Sequence, residues 1–92
     1  MIVYAEVEFM ISDAHSLKEK RAVLQRMITR TKQKFNVSVA EIDHQNVWQR
    51  TRIALVCVSS SKQSAEREIN NALNFLQSNP AWEQLEVWRD HL

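Results

Sequence analysis

One short stretch of this chain carries cations at a density and spacing that could bind a polyanion. Between residues 16 and 35 there are seven Lys or Arg residues and one acid, Glu19, whereas the whole chain has a net charge of only +1. The rest of the sequence is therefore acidic. Six of these cations are predicted to project from a helix, and they are the candidate nucleic-acid-binding residues: Lys18, Arg21, Arg26, Arg30, Lys32 and Lys34.

Two interpretations of this basic stretch are open. Arg26, Arg30 and Lys34 follow one another four residues apart, which places them about 6 Å apart along one border of a helix. That spacing can follow a phosphate backbone. The alternative is a solvated helix face whose charge is balanced by acidic segments that pack nearby.

The element that must position these cations is an amphipathic helix over residues 16–35. Ser16 and Glu19 have the spacing of a capping box. Leu24 and Ile28 belong to an apolar stripe with the 3.6-residue helical period. Lys20 falls nearer that stripe, so we expect its ammonium group to reach back to solvent.

The sequence offers no recognisable catalytic or metal-binding constellation. It has no glycine, which excludes phosphate loops and dinucleotide-binding fingerprints. Left-handed turn positions must therefore be taken by Asn, Asp or His, and Asn36, Asn46 and Asn79 lie where turns are expected. The three histidines are scattered and Cys57, inside an apolar run, has no partner cysteine. We therefore expect a buried, inert thiol, no metal, no cofactor and no enzymatic activity.

Hydrophobic periodicity predicts four strands and two helices in the order βαββαβ. The predicted strands cover residues 2–11, 37–43, 48–59 and 82–88, and the helices cover 16–35 and 61–78. Ser60 and Gln63 are predicted to cap the second helix, and residues 89–92 are expected to fray. This order with short connections predicts one ferredoxin-like α+β domain over residues 1–92, a four-stranded antiparallel sheet with both helices on one face.

The sheet face opposite the helices is a second candidate surface. The alternation of residues along the strands places Glu6, Glu8 and Glu41 on it with Arg50 and Arg52. The first and third strands are expected to be neighbours, so the sequence predicts cross-strand ion pairs of Glu6 and Glu8 with the two arginines. The aromatic and aliphatic residues of this face make it a candidate surface for self-association as a homodimer: Tyr4, Val39, Val56 and Trp88. The alternative is a solvated sheet face whose apolar patches are covered by the C-terminal tail. Acids on this face would repel phosphate, so the basic helix is the better candidate for RNA.

No apolar run approaches the length of a membrane span, and the first eleven residues, which include Glu6 and Glu8, do not resemble a targeting segment. With a single cysteine, the sequence predicts a cytoplasmic protein without a membrane partner.

Three segments together resemble the YlxP-like family of small bacterial proteins of unknown function. They are Ser16-Leu17-Lys18-Glu19-Lys20-Arg21, Phe35-Asn36-Val37-Ser38-Val39-Ala40-Glu41 and Trp48-Gln49-Arg50. The resemblance covers residues 3–58 and implies a ferredoxin-like fold. It also implies RNA or ribosomal partners, because relatives are often encoded beside translation-initiation and ribosome-maturation factors. The sequence thus favours a non-enzymatic domain that binds RNA or a ribosomal subunit through its first helix, with sheet-mediated self-association as the alternative.

Overall fold

The computed structural model describes all 92 residues and contains the six predicted elements in the predicted order. They are β1 (Ile2–Met10), α1 (Leu17–Lys34), β2 (Ser38–Asp43), β3 (Arg50–Val58), α2 (Lys62–Gln77) and β4 (Glu83–His91). All strand pairings are antiparallel and the sheet order is β2-β3-β1-β4. The ferredoxin-like fold is confirmed, with β1 and β3 in the centre.

Both helices cover the same face of the sheet. Alternate residues of the central strands, such as Val7 and Phe9 in β1 and Ile53 and Leu55 in β3, are fully buried beneath them. They belong to a core of 19 hydrophobic residues that includes Leu24 of α1 and Ile69 of α2. Phe9 stacks on Trp82, with ring centroids 4.2 Å apart, and so closes the end of the core near the start of β4.

Serine residues cap both helices. The Ser16 hydroxyl accepts a hydrogen bond from the Glu19 backbone N–H at 3.1 Å, as predicted. The Glu19 carboxylate, however, accepts from the N–H of His15 rather than from that of Ser16. The cap of α2 is Ser61, which accepts from Ser64, so the predicted Ser60 cap is wrong by one residue.

The strand β4 is longer than predicted, and the expectation of a frayed tail is wrong. Arg89, Asp90 and His91 pair with the first residues of β1, and the Leu92 N–H donates to the Ile2 carbonyl at 3.0 Å. The Arg89 side chain donates to Asn70 of α2, and His91 contacts Glu66 at 2.7 Å. Residues 89–92 are therefore held by backbone pairing with β1 and by side-chain contacts with α2.

In the connection between β2 and β3, His44 has a backbone conformation that glycine adopts more readily. This residue is the one non-glycine residue with positive φ, at 62°, in the left-handed region that histidine tolerates better than most residues. Histidine is one of the residue types expected at such a position, but the asparagines expected there, Asn36, Asn46 and Asn79, do not have positive φ.

Candidate nucleic-acid interface

The six predicted cations of α1 are all exposed, and none of them forms an ion pair with an acid. The ion pairs of the protein involve other cations: Lys20, His44, Arg50, Arg52 and His91. The interpretation in which nearby acidic segments balance this charge therefore finds no direct contact in the structure. Each of the six guanidinium or ammonium groups is available to a ligand.

Helical geometry divides these six residues into two rows. Arg26, Arg30 and Lys34 lie on the border that faces α2, whereas Lys18, Arg21 and Lys32 lie on the opposite border. The exposed ridge of α1 separates the rows. A ligand that contacts all six must therefore cover this ridge, whereas a narrower ligand can contact one row.

The row that faces α2 lines a continuous open groove between the helices. One part, of about 340 Å³, is lined by Arg30, Gln33, Lys34 and Phe75. The adjoining part, of about 230 Å³, shares Arg30 and Phe75 and also contacts Arg26, Met27, Ser78, Asn79 and Pro80. We call this groove the interhelical groove. No acidic residue lines it.

An aromatic side chain forms the floor of the interhelical groove. Phe75 is half-buried, and Phe35 supports it with a centroid distance of 5.7 Å and an interplanar angle of 59°. The Lys34 ammonium lies 4.8 Å from the centre of the Phe75 ring. Sequence reasoning missed Phe75, although its position on the border of the α2 stripe could have indicated it.

Two arginines of the interhelical groove lie at the C-terminal end of α2. The last carbonyl groups of a helix carry partial negative charge, and Arg26 and Arg30 lie beside Ser78 and Asn79 at the end of α2. This end of α2 has no basic residue of its own. A helix dipole favours cations at this end, so the position suits the two arginines.

Lys20 does not reach solvent, contrary to expectation. Its side chain is 0% exposed, its ammonium lies 2.9 Å from the Glu41 carboxylate, and it also donates to the His44 carbonyl. The Thr51 hydroxyl donates to the same carboxylate at 2.6 Å. Lys20 therefore belongs to a buried polar cluster that joins α1 to β2 and β3.

The opposite sheet face divides into a charged half and an apolar half. In the charged half, Arg52 Nε contacts Glu6 at 2.6 Å and Arg50 contacts Glu8 at 3.0 Å, which confirms the predicted cross-strand pairs. The hydrogen bond from Arg52 holds the pKa of the Glu6 carboxyl below its usual range. The bond from Tyr4 to Glu6, at 2.7 Å, raises the pKa of the Tyr4 phenol.

The apolar half contains three of the four residues predicted for self-association. Trp88 is 47% exposed and packs edge-on against Tyr4, with centroids 5.8 Å apart, and Val56 pairs with Tyr4 across β1 and β3. The fourth residue, Val39, lies on the helix-covered face, contrary to the prediction. It pairs with Leu55 and is only 6% exposed beneath the helices.

Glu41 is likewise on the helix side, opposite Ile53, and not on the face predicted for it. Val39 and Glu41 thus share one face, as the alternation predicts, but it is the helix-covered face; the register of β2 shifts only after them, between Glu41 and Asp43.

Other reactive side chains are isolated. Cys57 is buried, as predicted, and burial raises the pKa of its thiol, which favours the protonated form. No three His, Cys, Asp or Glu side chains come together in a way that could hold a metal ion. Neither helix is long and apolar enough to cross a membrane.

Comparison with known families agrees with the resemblance seen in the sequence. Residues 2–89 match the family described as "Protein of unknown function (DUF503)". The chain belongs to this family. It is also 51% identical over 84 residues to "Uncharacterized protein YlxP" of Bacillus subtilis (strain 168), a match that covers 91% of each chain. The relationship thus extends well beyond residues 3–58.

Solved structures share the fold of this family member at low sequence identity. The de novo designed protein Foldit4 matches 100% of this chain and 99% of its own, with a TM-score of 0.61 and 15% identity. A C-terminal segment of the alpha subunit of aIF2 from Pyrococcus abyssi matches 99% of this chain and 51% of its own, with a TM-score of 0.61 and 17% identity. At such identities the likeness establishes the fold alone.

Proposed function

We propose that this protein is a non-enzymatic cytoplasmic domain that binds RNA, alone or within ribosomal particles, through α1. The observation that supports the proposal is the set of six exposed cations on one helix, none of which is paired with an acid: Lys18, Arg21, Arg26, Arg30, Lys32 and Lys34.

The energetics of such a surface favour a polyanion. Like charges four residues apart on a helix cost a few tenths of a kcal/mol per pair. Phosphate groups remove this repulsion, and each neutralised phosphate releases condensed counterions. No carboxylate lines the interhelical groove, so an RNA strand can approach Arg26, Arg30 and Lys34 without repulsion between its phosphates and an acidic side chain.

The test compares two double variants that remove equal charge from different surfaces. Arg26→Gln with Arg30→Gln changes the interhelical groove, whereas Lys62→Gln with Arg67→Gln changes exposed cations of α2 outside it. Binding to a ribosomal RNA fragment is measured by fluorescence anisotropy across a salt series. The groove variant is expected to bind about tenfold more weakly, with a salt slope smaller by about one to two units.

The α2 variant is expected to retain most of the wild-type affinity, since it loses only long-range attraction. Wild-type protein without salt-dependent binding to ribosomal RNA or ribosomal subunits would refute the proposal. Equal weakening in both double variants would show that net charge, rather than the groove, determines the binding.

A second candidate function is homo-oligomeric interaction through the apolar half of the open sheet face. A specific observation favours it: several large hydrophobic residues are exposed side by side on paired strands. They are Ile2, Val58 and Trp88, beside the half-buried Tyr4 and Val56. Burial of such a surface against a second copy is favourable at about 25 cal/mol per Å² of apolar area.

Val56→Lys tests this candidate, because it places a charge at the centre of the apolar half. The variant is expected to sediment as a monomer with an unchanged circular dichroism spectrum. A wild-type protein that is already monomeric at high micromolar concentration would exclude the interface.

A further inference from the structure

We infer that the interhelical groove binds single-stranded RNA in preference to duplex, with one base stacked on Phe75. This inference rests on the proposed function and names the form of RNA that the groove accepts. It depends on the position of an aromatic ring between the basic residues, which the charge of α1 does not by itself imply.

The ring of Phe75 is placed where a base could reach it. It contributes to both parts of the groove, and cations lie on the α1 side of it: Arg26, Arg30 and Lys34. Phe35 packs against the ring and fixes its orientation. A strand whose phosphates contact these cations would therefore have its bases beside the ring.

In the free protein the Lys34 ammonium occupies the space above the ring. Lys34 is exposed and makes no ion pair, so its contact with the ring is the one interaction that it gives up on moving. A base stack on an aromatic side chain is stronger than an exposed cation–π contact. A base can therefore displace the ammonium, which then remains close enough to contact a phosphate.

A duplex cannot make this contact. Its bases are stacked on one another and present only their edges in the grooves, whereas unpaired bases can turn outward and stack on aromatic side chains. Phe75 is half-buried between two helices, so a base must leave its stack to reach it. The same geometry explains why the preference should not depend strongly on sequence, since every base has a stacking face.

The test uses a labelled oligouridylate of about ten nucleotides and a duplex of equal length, a size within the range of single-strand binding sites. Wild-type protein is expected to bind the single strand more tightly than the duplex. Phe75→Leu should weaken single-strand binding by about 5- to 100-fold and leave duplex binding unchanged. Trp88→Leu, on the opposite sheet face, is the matched control and should bind as the wild type does.

Two further measurements do not depend on the stability of Phe75→Leu. Phe75→Trp keeps an aromatic ring and is expected to bind the single strand at least as tightly as the wild type. A 2-aminopurine placed in the oligouridylate should lose fluorescence on binding to wild-type protein, because stacking quenches it.

The outcomes separate this inference from the proposed function. Equal affinity for single strand and duplex, no 2-aminopurine quenching, or wild-type affinity in a folded Phe75→Leu protein would each overturn the stacking site. If the stacking site were overturned in one of these ways but Arg26→Gln with Arg30→Gln still weakened RNA binding, the proposed function would stand. Absence of any salt-dependent RNA binding would overturn both.

Discussion

Lys20 differs from every other cation of α1 because its side chain lies inside the protein. An ammonium group taken out of water costs several kcal/mol unless it is paired and hydrogen-bonded. Here the Glu41 carboxylate and the His44 carbonyl supply those partners. The left-handed backbone at His44, with φ of 62°, belongs to the turn that carries this carbonyl.

We expect Lys20→Met to destabilise the protein by about 3 kcal/mol or more, because it leaves Glu41 without its cation in a largely buried position. Urea unfolding followed by circular dichroism measures this loss. The double variant Lys20→Met with Glu41→Gln should recover part of the stability, since no unpaired charge remains. A single variant as stable as the wild type would contradict the role assigned to this pair.

The Glu6–Arg52 pair makes stability depend on pH in the acidic range. The hydrogen bond from Arg52 lowers the pKa of Glu6 in the folded state, so the folded state binds this proton less readily than the unfolded chain does. Its contribution is fully present above the ordinary glutamate pKa, about 4.5, and is lost as the pH falls through the lower folded-state pKa.

Glu6→Gln should therefore lower stability at neutral pH and flatten the acidic side of the stability profile. Urea midpoints measured from neutral pH down to about pH 3 test this expectation. If the variant kept the full acid dependence of the wild type, groups other than Glu6 would have to be responsible.

At the scale of the elements, the sequence was sufficient to locate a helix or strand where the hydrophobic periodicity is strong and one face is buried. The alternation in β1 and the apolar stripe of α1 each identify an element within about one residue of its observed bounds. Pairs between neighbouring central strands, such as Glu6 with Arg52, followed from this alternation because both strands keep a regular register through that region.

The face of the sheet on which each residue of β2 lies could not be obtained in the same way. Its apolar residues Val39 and Ile42 cannot both lie on one face of a regular strand, and Ala40 is compatible with either face. In the structure Val39 lies in the core and Ile42 is left exposed, and the register shifts between Glu41 and Asp43. Glu41 lies on the same face as Val39 and contacts Lys20, which is 21 positions away in the sequence, so no local pattern indicates the pair.

The length of β4 also depends on its partner strand. Residues Arg89, Asp90 and His91 are polar and resemble a tail, yet β1 supplies Val3, Tyr4 and Ala5 as backbone partners for them. Strand formation here is determined by hydrogen bonding to a neighbour rather than by the residues themselves.

Deletion of residues 89–92 should therefore destabilise the protein by about 2–4 kcal/mol, because several backbone hydrogen bonds of about 1 kcal/mol each are lost from the edge of β1. Thermal unfolding of the shortened chain measures the effect. Replacement of residues 89–92 by serine keeps the backbone and should cost less than deletion. An unchanged unfolding temperature after deletion would contradict the pairing described.

For the molecule as a whole, the two layers present different surfaces. The helix layer presents unpaired cations, whereas the open sheet face pairs its charges internally and leaves an apolar half beside them. The charge of α1 could be seen in the sequence. The interhelical groove could not, because Phe75 and Arg30 belong to different helices and meet only after the helices pack on the sheet.

The proposed function requires RNA to bind through the helix layer and not through the sheet face. Amide chemical shifts of 15N-labelled protein, recorded while a ribosomal RNA fragment with a stem and a loop is added, test it most directly. We expect shifts in residues 26–34 of α1 and in residues 75–79 at and beyond the end of α2, with Tyr4, Val56 and Trp88 unchanged. Shifts confined to the sheet residues, or no shifts at any site, would contradict it.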